Sequence, residues 1–184
     1  MTRKALIIFL FLCTAWTCVL PASTSNAQET SAAMEYKIKA AFLLNFAKFI
    51  HWPEGAFAGD NQRFKVCVLG ENPFGSALSA IESRTIGSRK IDLDYVDDVK
   101  QAGSCHLLFI SASEKNNLID IQKALANRTI IMVSDIDGFV SAGGIIEFVT
   151  KDDKLAFKIN LSRAREQGLE IHSALLNLAT EVIQ

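Results

Sequence analysis

Residues 64–83 read FKVCVLGENPFGSALSAIES, and the order within this stretch decides the fold. Phe64 to Gly70 is a short apolar run of strand length with Val66 and Val68 inside it. From Pro73 onward the apolar residues fall at 74, 77, 78 and 81, the spacing of one helix face, so the segment predicts strand, turn and then a helix over 73–83. Asn72 is placed to cap that helix and Pro73 to take its first position.

Downstream the same alternation continues. IDLDYV at 91–96 alternates as a half-covered or edge strand does, whereas CHLLFI at 105–110 is nearly continuous and suits burial on both faces. Ser113 is placed to cap a helix over 114–126 with apolar positions at 118, 121 and 125, and residues 129–133 read as another buried strand. Asp135-Ile136-Asp137-Gly138 is a turn. After Gly143-Gly144, IIEFVT at 145–150 and LAFKIN at 155–160 flank the polar tip 151–154, the signature of a hairpin. Two helical pieces over 162–167 and 173–183, broken by Gly168, close the chain.

Upstream, MEYKIKAAFLLNFAKFI at 34–50 carries apolar residues at 34, 38, 42, 46 and 49 and predicts a helix. His51-Trp52-Pro53 ends it, because the residue before proline is driven out of the helical region. The order of elements implies a single α/β domain: an open, mostly parallel sheet with an antiparallel hairpin edge and helices on both faces.

The chain opens Met1-Thr2-Arg3-Lys4, runs apolar from Ala5 to Leu20 and turns small and polar through Ala27. That is the order of a secretory signal peptide, with Ser25 and Ala27 as the small residues before a cut that leaves residues 28–184 as the mature periplasmic domain. An apolar stretch of about 16 residues is short for a spanning helix, which needs about 20. Trp16 stands where a lipobox ending at Cys18 wants a small residue.

Nineteen Lys and Arg against 20 Asp and Glu give a formal charge of −1, and no basic run exceeds two residues, so nucleic acid is not an expected partner. Cys13 and Cys18 leave with the signal peptide. The remaining pair, Cys67 and Cys105, sits on the first and third strands, which commonly lie side by side, and in an oxidising compartment a bridge is expected over two buried free thiols.

Catalytic chemistry finds little support. Gly70 to Ser76 spaces its glycines as a phosphate-binding loop does, yet Ser76 stands where the lysine belongs. His51, His106 and His172 form no HExxH pattern and there is no GxSxG, so neither a metal nor a cofactor nor a catalytic residue is expected. His106, inside an apolar strand, reads as a satisfied structural histidine, and Asp135 and Asp137 are explained by their turn.

Several ordered blocks carry a family resemblance: Ala40 to Pro53 (AAFLLNFAKFIHWP), Val66 to Phe74, Cys105 to Ser111, Ser134 to Phe139, Gly143 to Ile146, Phe157 to Leu161, and Leu175 to Ala179. Across nearly the whole mature chain this resembles the YfiR family of periplasmic regulators. The resemblance implies a homodimeric binding protein and not an enzyme. It implies repression of an inner-membrane diguanylate cyclase (YfiN-like) through that protein's periplasmic sensor part, with an outer-membrane lipoprotein (YfiB-like) relieving the repression. Lower cyclic di-GMP and less biofilm are the implied outputs. One departure stands out: no cysteine follows Cys105, so the second disulfide such proteins can carry is missing.

Two surfaces are candidates for binding. Phe42, Phe46, Phe49 and Trp52 on the N-terminal helix offer a partner interface, although an apolar helical stripe faces the core by default; Trp52, at the helix end, is the better anchor. Arg163, Arg165 and His172 are able to hold an anionic group, the alternative being a solvated helix face with a capping histidine. The competing function is an envelope small-ligand-binding protein without a cyclase partner, its site at the carboxyl ends of the parallel strands near Gly70–Phe74 and Ser111–Ser113.

Overall fold

A computed structural model describes residues 25–57, 59 and 62–184, with the side chains of 25–30 excluded. All but the last three residues of the expected signal peptide therefore lie outside the described residues.

In chain order the elements are α1 Ser25–Phe49, β1 Ile50–His51, β2 Phe64–Leu69, α2 Ser79–Glu82, β3 Thr85–Ile86, β4 Arg89–Val96, β5 Leu107–Ile110, α3 Leu118–Ala124, β6 Ile131–Ser134, β7 Ile146–Lys151, β8 Lys154–Asn160, α4 Leu161–Glu166, β9 Glu170–Ile171, α5 Ser173–Leu176 and β10 Glu181–Ile183. Short 3-10 helices over Gln101–Ser104 and Ala112–Asn117 precede β5 and α3. Eight strands form one sheet in the order β10-β8-β7-β6-β5-β2-β4-β3, while β1 and β9 make a separate antiparallel pair. From β4 through β7 every neighbouring pair is parallel, and β7 turns back on β8 as an antiparallel hairpin. The α/β architecture expected from residues 64–160 is the one observed.

Strand alternation sorts the core into two layers. Phe64, Val66, Val68, Leu107, Phe109, Ile131 and Val133 point to the side covered by α1, with Leu43, Phe46 and Ala47 against them. Cys67, Leu69, Leu108, Ile110 and Met132 point the other way, onto Leu118 and Ile121 of α3 and Leu125 just after it. The continuous apolar text of β5 and β6 follows: all eight residues are buried because both faces are covered.

Three local expectations give way. The helix over 73–83 shrinks to Ser79–Glu82, because Gly75 takes φ +53° and the preceding residues form tight turns such as Ala77 N to Phe74 O. Asn72 still caps its turn, accepting from Phe74 N at 2.9 Å. Ser113 does not cap α3; its hydroxyl accepts from Glu71 N at 3.0 Å, and a 3-10 helix leads into Leu118 instead. The terminal helix over 173–183 stops at Leu176, and residues 181–183 become β10, parallel to β8 through Val182 opposite Ile159. The open edge of β8 offers a row of backbone partners that a free helix end lacks, so the hairpin is not the sheet's edge.

The hairpin tip pairs Lys151 with Lys154 around Asp152 and Asp153, at φ +51° and +57°. Two consecutive left-handed residues suit the strand twist and favour glycine second. Asp153→Gly is expected to raise stability by about 0.5–1 kcal/mol, seen as a higher urea midpoint; a lower midpoint would contradict this reading of the turn.

Candidate functional site

The crevice outside the carboxyl ends of β2 and β5 is where an open α/β sheet reverses its strand order and where a small ligand is first sought. Here it is narrowed from within. Gly70 sits at φ +86°, and a Cβ there would run into Ser113 Oγ and the Glu114 side chain. Ser113 Oγ accepts from Glu71 N across the crevice, drawing the two loops together.

An open cleft of about 550 Å³ lies instead beyond the end of β6. β6 stops at Ser134 while β7 and β8 run on as the hairpin, so α1, the Asp135–Asp137 turn and the hairpin enclose a space. The sequence reading of Asp135 as a mere turn former needs correcting. Its Oδ2 accepts from Tyr36 Oη at 2.8 Å and from Lys39 Nζ at 2.6 Å. Lys39 has only 5% of its side chain exposed, also pairs with Glu35 at 2.7 Å, and lies 4.3 Å from the Tyr36 ring centroid. A buried ammonium is tolerable only with such partners. Burial, then the bond to Asp135, raises the Tyr36 phenol well above its usual range, so it remains a donor. Glu147, fully buried, accepts from Gly138 N and Val140 N. Lys158 is half-buried, and its ammonium is held charged by Glu181 at 3.0 Å, with a raised pKa. None of this was legible in sequence, since Lys39 and Asp135 are 96 positions apart.

The proposed interface aromatics separate. Phe46 is wholly buried against Phe148 and Phe157, at ring-centroid distances of 5.6 and 5.0 Å. Phe42 is half-buried on the same two rings. Trp52 is half-buried and packs edge-on against Phe64 at 5.0 Å. Phe49 alone of the four is exposed, at 41%, and with Met34 and Ile38 it leaves apolar surface on the solvent side of α1.

Among the described residues, Arg163 and His172 border separate hollows. Arg163 pairs with Glu166 at 2.9 Å and borders a cleft with Gln122 and Asn160, and Arg165 is exposed. His172 caps α5, its Nδ1 accepting from Ala174 N at 3.1 Å, and borders a different hollow with Phe49 and His51. The capping alternative describes His172.

At the opposite, amino end of the strands, His106 is clamped. Phe57 stacks on it at 4.5 Å and Phe64 at 5.3 Å, and its Nδ1 accepts from Lys65 N at 2.9 Å. Burial first, then the charges of Arg89 and Lys65, push its pKa down to about 4. Between pH 6.5 and about 4 the unfolded chain takes up a proton that the folded chain refuses, so stability falls as pH drops through that window and levels off below it. The loss is expected to be about 3 kcal/mol. His106→Asn, which keeps an acceptor for Lys65 N, should flatten the urea midpoint across that range; an unaltered slope would assign the effect elsewhere.

Cys67 and Cys105 are bonded, with Cα atoms 6.0 Å apart. Cys67 lies on β2 and Cys105 in the extended residues before β5, its neighbour in the sheet, as the strand argument expects. Among the described residues no cluster of three or more His, Cys, Asp or Glu has metal-holding geometry, and no helix is long and apolar enough to cross a membrane.

Comparison with known proteins adds the following. The YfiR/HmsC-like family model matches residues 36–180. No curated protein matches the chain. Among solved structures, a conserved domain protein from Vibrio cholerae O1 biovar El Tor is similar at TM-score 0.50 and 11% identity, over 65% of this chain and 54% of that one. An ABC domain from Streptococcus pneumonia, in complex with L-Trp, is similar at TM-score 0.46 and 11% identity, over 65% and 55%. The chain thus spans about half the length of these structures, and the first likeness concerns fold alone.

Proposed function

Since the chain belongs to the YfiR/HmsC-like family, we propose that it is a periplasmic regulatory protein that acts by binding and represses a membrane-bound diguanylate cyclase through the cyclase's periplasmic part. The family match over residues 36–180 is the observation that carries this reading. Its output is lower cyclic di-GMP and less biofilm; a YfiB-like outer-membrane lipoprotein relieves the repression, and the protein works as a homodimer. The Arg163, Arg165 and His172 set plays no part in it.

The solvent side of α1 supports a binding role, because Met34, Ile38 and Phe49 expose apolar surface that a partner would cover. Phe49 is the contact residue of the four aromatics, and Phe46 supports the helix from beneath. Cyclic di-GMP measured in a strain deleted for the protein tests the proposal. A rise that complementation reverses supports repression, and Phe49→Ala should complement poorly while folding normally. An unchanged level would overturn the cyclase and favour a small-ligand-binding role.

A further inference from the structure

The large sheet ends at β3, and β3 is too short to cover its neighbour. β4 runs from Arg89 to Val96, whereas β3 pairs only with Arg89 and Lys90. Two backbone bonds fix which groups of β4 look outward. Ile91 N donates to Arg84 O on the β3 side, and Val96 O accepts from Gly70 N on the β2 side. The N–H and C=O of one residue point the same way across a strand, and the direction alternates along it, so Leu93 and Tyr95 turn theirs away from β2. Among the described residues no strand meets them there. An unpaired edge of this kind is a template for another strand.

The side chains along the edge say which strand. Residues 91–98, IDLDYVDD, hold four aspartates and neither Lys nor Arg. Asp92 and Asp94 alternate onto the α3 side with Val96, while Leu93 packs on the α1 layer and Tyr95, on the same side as Leu93, is exposed. Lys65 of β2 answers Asp94 at 3.3 Å, and Asp98 Oδ1 accepts from Lys100 N at 2.9 Å. Asp92 and Asp97 have no ion pair among the described residues. The cations nearest the edge lie at its other end, where Lys90 borders a hollow with Arg63 and Arg84.

We propose that the outer edge of β4 takes up one extended segment of a partner protein, with Lys or Arg at alternate positions opposite Asp92 and Asp94 and apolar residues opposite Leu93 and Tyr95. Antiparallel entry suits this pattern. The residues opposite Leu93 and Tyr95 then exchange both backbone bonds, and the basic side chains fall at the closer, non-bonded positions facing the aspartates. A second copy of β4 is a poor occupant. Antiparallel self-pairing centred on Leu93 sets Asp92 against Asp94, Leu93 opposite Tyr95 sets Asp94 against Asp94, and pairing centred on Tyr95 sets Asp92 against Asp98. The same acids that forbid self-pairing select a basic strand. This surface is separate from the Phe49 face of α1 and does not rest on the cyclase reading.

Amide exchange and chemical shifts of the purified protein read the edge directly. In the free protein the Leu93 and Tyr95 amides should exchange at least about tenfold faster than those of Asp92 and Asp94, which point to β2. The peptide KVKVK should saturate with Kd of about 1 mM, shift the Leu93 and Tyr95 amides and slow their exchange. N-methylation of both valines keeps every charge and removes the donors, so that peptide should bind at least about tenfold more weakly, and EVEVE should not bind. Tyr95→Pro removes only an outward N–H, a place where proline is tolerated, so the fold should hold while KVKVK weakens by about tenfold. Asp92→Asn with Asp97→Asn should weaken it by about threefold. No saturation by about 10 mM, equal affinity of the N-methylated peptide, or unchanged affinity in a folded Tyr95→Pro protein would overturn the proposal. Protection of the Leu93 and Tyr95 amides that grows with protein concentration would give the edge to a second copy and overturn it as well. If Tyr95→Pro does not fold, the N-methylated peptide decides.

Discussion

Phe46→Ala is expected to lower the free energy of unfolding by about 3–5 kcal/mol, the cost of deleting a fully enclosed aromatic ring, while Phe49→Ala, three residues on, should change it by no more than about 0.5 kcal/mol. The two residues share a helix and a side-chain chemistry and differ in what surrounds them. Phe46 is 0% exposed and touches Phe42, Phe148 and Phe157; Phe49 is 41% exposed and touches His172. A domain of this size is stable by about 5–15 kcal/mol, so Phe46→Ala removes a large part of that margin. Phe46→Leu, expected to cost about 1–2 kcal/mol, keeps the measurement possible if the alanine variant does not fold. Equal urea midpoints for Phe46→Ala and Phe49→Ala would contradict the placement of α1. The pair also separates stability from binding, because only Phe49→Ala should weaken partner contact in a folded protein.

Removing the Cys67–Cys105 bridge is the second large effect. The bond closes a 38-residue separation, and the chain-entropy estimate for such a loop is about 3–4 kcal/mol. Cys67→Ala with Cys105→Ala should lower the urea midpoint accordingly, and a reductant should do the same to the unaltered protein once unfolding exposes the bond. The bridge lies in the layer covered by α3 and Phe46 in the layer under α1, on opposite faces of the sheet. The two losses should therefore add. Two titratable thiols in the unreduced, unfolded protein would refute the bridge.

Both effects depend on the layered sheet, and much of that sheet is readable in the chain. Continuous apolar runs at β5 and β6, the alternating run at β4 and the paired runs of the hairpin each announce how many faces are covered. Even the disulfide follows from where two cysteines fall along neighbouring strands. Local signals did less well where backbone groups had a better offer elsewhere. Residues 181–183 have a helix-like spacing, yet the unfilled edge of β8 takes them as a strand. Ser113, a good helix cap by type, spends its hydroxyl on Glu71 N across the crevice, and no local pattern encodes that partner.

The sequence by itself determined the fold class, the two-sided burial of the central strands, the family and the cysteine pair, because each is written in periodicity or in residue types that act over a few positions. Which α1 aromatic is core and which is surface was not written there: a stripe at helical spacing names a face without saying what lies opposite it, and only the β7–β8 hairpin folding over Phe46 decides. The cleft is still more a product of tertiary structure. Lys39 and Asp135 are an ordinary helix lysine and an ordinary turn aspartate until β6 ends short of its neighbours and brings them to 2.6 Å. Burial then turns two common ions into a mutually dependent pair, since neither charge is affordable in that place without the other.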